Sequence, residues 1–244
     1  MLVATAEFFR GGKTATPIMF AYLILGSAAG ALGVSHGLSA AEIALLSLMM
    51  YAGSAQFIFP VIYGAAPHAV AAAIFFVNLR HVLYSASLSQ QARELPLASR
   101  TLIGAQLTDE TYIMATTKLR GRMMHSASWM IGLNMTSYLS WFTGNMFGAL
   151  AGTAVDLSVF GADFAGHAMF IALLFSKIAM HARWRSAATV AVLAGVAAVL
   201  CAWVFPGPAV IVVIAAVSAA AGVFIFGVDE DDREFCRRLQ ERES

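Results

Sequence analysis

The sequence predicts an all-α, polytopic integral membrane helix bundle, and three observations carry that class. Hydrophobic residues make up 59% of the 244-residue chain and charged residues 12%, with a mean hydropathy of +0.75, against about 25% charged in a soluble domain. Apolar runs of roughly 20 residues, the length of one bilayer crossing, recur along the chain. The net charge of +1 leaves no basic field of the kind nucleic acid requires. Residues 1–228 therefore read as one membrane-embedded domain, and 229–244, "DEDDREFCRRLQERES", as a short charged cytoplasmic tail.

Taken in order, Arg10 and Lys13 precede a first apolar run over 17–36, which is longer than a cleavable signal core and reads as a retained span. Further runs of spanning length fall at 41–64, 67–88, 127–151, 164–182, 187–205 and 208–227. The stretch 97–120 is weaker, because Asp109 and Glu110 interrupt it. Two segments read as broken. Gly53–Gln56 is followed by Pro60, which removes a backbone donor, so unwinding is expected there. In "LTDET", Thr108 is placed to cap a restarted helix, with Asp109 and Glu110 at its positive end. The count is about seven to eight passes of some 20 residues, including broken or re-entrant helices. If 101–117 also crosses, or if one early segment is re-entrant, the basic clusters at Arg10/Lys13, Lys118/Arg120/Arg122, Lys177/Arg183/Arg185 and Arg233/Arg237/Arg238/Arg242 all fall in the cytoplasm, and eight passes, one of them broken, is the favoured count. Both termini then lie inside, and Arg93 and Arg100 fall on the outer side as exceptions.

Glycines repeat at four-residue intervals, at Gly26/Gly30, Gly33/Gly37 and Gly144/Gly148/Gly152. Lipid gives no hydrophobic drive to helix association, so such spacing predicts close helix packing rather than a ligand site. Cys201 and Cys236 differ too much in setting to pair and read as free thiols. Ser39 and Glu42 form a capping-box pattern. Asp163 and His167 share a helix face, with Asp163 as an interfacial cap; His36, His68 and His125 fall where water reaches them.

Ionisable groups at mid-membrane depth cost about 2.5–3.5 kcal/mol each, so a bundle keeps few. Here they are Arg80, His81, Asp109 and Glu110, joined by the uncharged polar residues Gln56, Asn78, Asn134 and Asn145. Arg80 is the one cation deep in an apolar run, and pairing with Asp109 or Glu110 offsets part of the desolvation of both. Such a pair is structural, or its Arg binds a substrate carboxylate while an acid carries a proton. Gly53, Ser54, Gln56, Asn78 and Arg80 are the candidate substrate-binding residues, and His81, Asp109 and Glu110 the proton-coupling ones. Phe57, Phe75 and Phe76 are candidate apolar walls. No H-E-x-x-H or G-x-S-x-G motif and no phosphate loop occurs, so neither an enzyme, a metal site, a cofactor nor an ATP-driven pump is expected.

The segments "YAGSAQF", "VNLRHVLYSASLS", "LTDETY", "YLSWFTGNMFGALAG" and "GADFA..AMFIALL" resemble the AzlC family of branched-chain amino-acid permeases over roughly residues 15–228. The resemblance implies a secondary transporter in a bacterial cytoplasmic membrane that exports valine, leucine, isoleucine and in some members methionine. It also implies a small, separately encoded AzlD-type membrane subunit as partner. Proton coupling is the expectation for the cycle. A non-transporting membrane scaffold and a channel for another small solute stand as alternatives.

Overall fold

The computed structural model describes residues 2–119, 122–124, 126–154 and 184–204, with single positions at 164, 168, 171, 174 and 175. The expectations for 164–182, 208–227, the tail, His125, Asp163, His167 and Cys236 lie outside these residues. Every described element is an α-helix: α1 Leu2–Thr14, α2 Thr16–Ser35, α3 Ala40–Met49, α4 Gly53–Ile62, α5 Pro67–Ser89, α6 Leu97–Ala105, α7 Asp109–Leu119, α8 Ala127–Ala154 and α9 Trp184–Val204. Residues 1–169 form one unit, which holds α1 to α8; α9 belongs to a second unit, 170–244. Helices α2 and α5 are long and apolar enough to cross a membrane. With 28 residues, α8 rises roughly 42 Å at about 1.5 Å per residue, also a spanning length.

The frame of the first unit is a parallel pair. Hydrogen bonds from Ala15 to Gly11 and from Met19 to Ala15 carry α1 into α2 almost without interruption. Along this rod Phe8 lies on Gly132, Leu23 on Gly144, Ser27 on Gly148 and Ala31 on Gly152. Both chains advance together, so α1–α2 and α8 run in the same direction. A Cβ at Gly148 would stand 1.8 Å from the Ser27 carbonyl oxygen, and one at Gly30 would stand 2.1 Å from that of Asn145. The glycine spacing in the sequence therefore does what it predicts, at Gly26, Gly30, Gly144, Gly148 and Gly152. Gly37 does not belong to that series: with φ of 86° it makes the turn after α2.

Between α2 and α8 the chain makes two helical hairpins. From the far end of the bundle α3 runs antiparallel to α8, with Ile43 packed on Ala149 and the Tyr138 hydroxyl donating to Leu48 O at 2.8 Å. The Ser39–Glu42 capping box starts it. After a break at Met50–Ala52, α4 goes back: Gln56 meets Ser47, and Phe59 packs again on Leu38, Ile43 and Ala149. Helix α5 then runs the length of the bundle, and Gln91 O just past its end accepts from Met124 N at 2.7 Å, at the end where α8 begins. From there α6 enters antiparallel to α5, reaching Gly104 beside Ser85. A second break, Gln106–Thr108, turns the chain into α7, which leads back to Met124. The unit is thus a helix and a hairpin, repeated with the opposite sense, closed by α8.

Two expectations change. Residues 41–64, read as a crossing, leave by the end they entered, and so do 97–120, for which crossing and re-entry both stood, because a three-residue break reverses direction between arms of only 9 to 11 residues. The first break falls at Met50–Ala52, ahead of Gly53–Gln56, which form the first turn of α4; Pro60 sits inside that helix. The hairpins also remove the charge exceptions. Arg93 and Arg100 follow α5 at the same end as Arg10, Lys13, Lys118 and Arg122, hereafter the basic end.

Replacing Gly148 by Leu is expected to lower stability by at least about 3 kcal/mol, the upper range for overpacking, because the obstacle is backbone. Gly12→Ala, whose Cβ would meet only the Thr136 hydroxyl at 3.0 Å, is expected to change it by less than about 1 kcal/mol. Thermal unfolding of the two purified variants in detergent checks the difference.

Candidate functional site

The two breaks face each other beside the middle of α5. At the first, Ala52 is extended (φ −152°, ψ 101°) and gives α4 no side-chain cap. At the second, Thr108 and Thr111 cap reciprocally: Thr108 N donates to Thr111 Oγ1 at 2.9 Å, and Thr111 N to Thr108 Oγ1 at 3.3 Å. Asp109 and Glu110 then fill the first turn of α7, where the helix dipole favours anions. Both half-helices present their positive ends to the same region.

Arg80 joins them. Its Nη1 donates to Asp109 Oδ2 at 2.8 Å and its Nη2 donates to Ser54 Oγ, in the first turn of α4. Asp109 is 4% exposed and the Arg80 side chain about a quarter exposed. The pair is therefore desolvated enough that each charge depends on the other. Tyr84, one turn along α5, donates to Asp109 Oδ1 at 2.5 Å and stacks on Tyr112 with centroids 4.6 Å apart. On the other side the Tyr22 hydroxyl donates to Glu110 Oε2 at 2.5 Å and lies 2.7 Å from Thr108 Oγ1. The Arg80 Nε is buried with no hydrogen-bond partner among the described residues, so the guanidinium retains an unused donor.

The predicted residues divide into four groups. Ser54, Arg80, Asp109 and Glu110 come together, with Gly53 contributing backbone at the α4 tip. Gln56 serves the frame: its Nε2 donates to Ser47 Oγ at 2.6 Å and Asn145 Oδ1 at 3.0 Å, and its Oε1 accepts from Trp141 Nε1 at 2.6 Å. All its amide capacity on the donor side is used. His81 lines a cavity of about 580 Å³ that runs from Ala92 and Leu97 near the basic end to Leu107 at the second break. Asn78 keeps a buried Oδ1 with no partner among the described residues. Of the apolar candidates, Phe57 is buried against Trp141, whereas Phe75 and Phe76 are 62% and 46% exposed on the outside of α5. Those two are no wall of this site.

Sequence reading missed Tyr22 and Tyr84. Tyr84 carried a signal, since it is four residues from Arg80 and so shares its helix face. Tyr22 carried none beyond the general need of a buried tyrosine hydroxyl for a partner.

A sequence profile described as "AzlC protein" matches residues 17–155. The chain belongs to the AzlC family. The match runs from α2 through α8 and so contains both hairpins and every residue around Arg80. AzlC proteins are membrane proteins of a transport family, not an enzyme family. Among relatives, "Inner membrane protein YgaZ" of Escherichia coli K12 is 34% identical over 155 residues, which is 62% of this chain and 63% of that protein. An "Uncharacterized membrane protein" of Archaeoglobus fulgidus is 31% identical, covering 72% of this chain and 78% of the relative. "Branched-chain amino acid transport protein AzlC" of Bacillus subtilis is 27% identical over 71% of this chain and 68% of its own. No solved structure matches the chain.

For this AzlC protein, Arg80→Gln is expected to cost about 3–5 kcal/mol, because it strands the buried Asp109 charge. Adding Asp109→Asn is expected to restore most of that loss. Thermal unfolding of the single and double variants reads the coupling; a double variant no more stable than Arg80→Gln would show that the two charges are not a unit.

Proposed function

We propose that this protein is the large subunit of a secondary transporter that exports branched-chain amino acids in exchange for protons. Valine, leucine and isoleucine are its substrates, with methionine in range, and a small AzlD-type membrane subunit is its partner. The observation that carries the reading is the Arg80–Asp109 pair held between two opposed half-helix tips. Broken helices with their positive ends turned to a shared centre are a recurrent way to hold anionic substrate groups at mid-membrane depth. The name of the Bacillus subtilis relative supports the substrate class, and the gathering of the first unit's described Lys and Arg, Arg80 apart, at one end supports a cytoplasmic N-terminus.

A zwitterion is chemically suited to enter this pair. Its carboxylate takes the Arg80 fork, using the unpartnered Nε and one Nη, while its ammonium takes the displaced Asp109 carboxylate, with Glu110 on the next residue. Asp109 accepts either the ammonium or a proton, not both. Substrate and proton therefore compete for one carboxylate, which makes the exchange an antiport: one proton enters as one zwitterion leaves. One net positive charge moves inward per cycle, so the membrane potential drives export as well as the pH difference does. The cavity lined by His81, Leu97 and Leu107 leads from the basic end to the second break, two residues before Asp109, and its Val82, Leu88 and Ile103 walls suit an aliphatic side chain.

Efflux of preloaded labelled valine and leucine from proteoliposomes holding the chain with its small partner tests this. Loss of charged hydrogen bonds in Arg80→Gln is expected to weaken substrate binding roughly ten- to a hundredfold, at about 1.5–3 kcal/mol. Asp109→Asn is expected to abolish stimulation of efflux by an inward proton gradient. Efflux through Asp109→Asn that still responds to that gradient would remove Asp109 from the coupling step, and wild-type flux that never saturates would identify a channel.

A further inference from the structure

At the basic end, α1, the end of α7 and the connection into α8 enclose a second cavity, of about 730 Å³. Arg10, Lys13, Lys118 and Arg122 line it, and Glu7 is the one carboxylate among its described lining residues. Glu7 is engaged by Arg10 at 2.5 Å, so the charge of Lys13, Lys118 and Arg122 is not balanced within the cavity wall. These three come from different elements, brought together by the return of α7 to α1. Like charges gathered in this way repel one another and favour an anion between them.

The same cavity has an apolar side formed by Leu119, Met123 and Trp129, with the Trp129 indole anchored by donation from Nε1 to Thr14 Oγ1 at 3.4 Å. An indole with its body in apolar surroundings and its N–H on a polar group is characteristic of the headgroup level of a bilayer. Helix α2 starts immediately beyond, at Thr16. Along the near-continuous α1–α2 rod, Phe20 and Ile24 stand seven and eleven residues after Lys13 and therefore on its stripe. They are 59% and 72% exposed. A cationic cup thus continues into an apolar track that runs toward the membrane interior.

We propose that this cavity binds the phosphodiester headgroup of an anionic phospholipid, held by Lys13, Lys118 and Arg122, with its acyl chains along Phe20 and Ile24. Basic pockets between helices at the cytoplasmic surface take such headgroups. The apolar track favours a lipid over free phosphate, which would use the cations alone. Because α7 connects this cup to Asp109, the lipid holds the base of the second hairpin.

Native mass spectrometry of the full chain in detergent, titrated with dioleoyl phosphatidylglycerol, dioleoyl phosphatidylcholine or inorganic phosphate, tests the assignment. Wild type is expected to retain one phosphatidylglycerol in preference to phosphatidylcholine. Lys118→Gln/Arg122→Gln is expected to weaken that retention roughly thirtyfold, at about fivefold per cation. Lys13→Gln alone, on an exposed position that folding tolerates, is expected to weaken it about fivefold. Arg100→Gln, outside the cavity, is expected to leave it unchanged. Equal retention by wild type and the double variant, or loss of preference for phosphatidylglycerol over phosphatidylcholine, would overturn the proposal. Binding of inorganic phosphate with the affinity of the lipid would replace it with a free-anion site.

Discussion

The ion pair between Arg80 and Asp109 is the contact on which the arrangement of both hairpins depends. It is the place where three elements that come from opposite ends of the bundle meet: α4 through Ser54, α5 through Arg80 and α7 through Asp109. Two of them, α4 and α7, begin here, and α5 passes between their tips with Arg80 in its interior. An arginine in the middle of an apolar helix is costly alone, and a carboxylate 4% exposed is costly alone. Brought together at hydrogen-bond distance they offset one another, and Tyr84 supplies a further donor to the carboxylate. The same proximity leaves the pair open to exchange, because a second carboxylate or ammonium replaces like with like.

The frame and the hairpins are held by different physics. Helices α2 and α8 approach so closely at Gly30 and Gly148 that no side chain fits between their backbones. Packing of this kind has two outcomes, together or apart, and little in between. The hairpin tips rest instead on side-chain hydrogen bonds: Gln56 to Ser47 and Asn145 for the first, Tyr22 to Thr108 and Glu110 for the second. A neutral hydrogen bond is worth about 0.5–1.5 kcal/mol net and one to a charged group about 1.5–3, and these bonds act beside the Arg80–Asp109 pair that also holds the tips.

Much of this was legible in the sequence, and the limit falls at a definable point. "LTDET" announced a capped helix start, and Thr108 caps as its side chain suggests. Gly53–Ser54 announced a discontinuity, displaced by a few residues because a glycine and a serine open a helix as well as they end one. What hydropathy does not encode is direction. Two arms of about ten residues and one span of about twenty fill the same apolar window, so 41–64 reads as a crossing whether or not it returns. The basic residues did carry that information. Placing Arg93 and Arg100 outside was a strain in the eight-pass reading, and the hairpins relieve it. Gln56 was legible as a buried polar group, but its commitment to Trp141 and Asn145 depends on residues 85 and 89 positions away.

The repeated order of helix and hairpin, inverted between α2–α4 and α5–α7, has a consequence for access. The first hairpin opens only toward the far end, since its α3 and α4 arms both return there, and the second only toward the basic end. Arg80 touches both tips at once. A ligand that takes Arg80 from Asp109 loosens the second tip, and one that takes it from Ser54 loosens the first. The cation therefore links the two entrances without any long-range wire. A carboxylate ligand that takes Nε and one Nη draws that Nη from the tip it serves, Asp109 or Ser54, and leaves the other Nη with its own tip. In the exchange cycle proposed above, alternation between the two ends rests on that competition, with the broken helices as its two gates and Arg80 as the single group for which they compete.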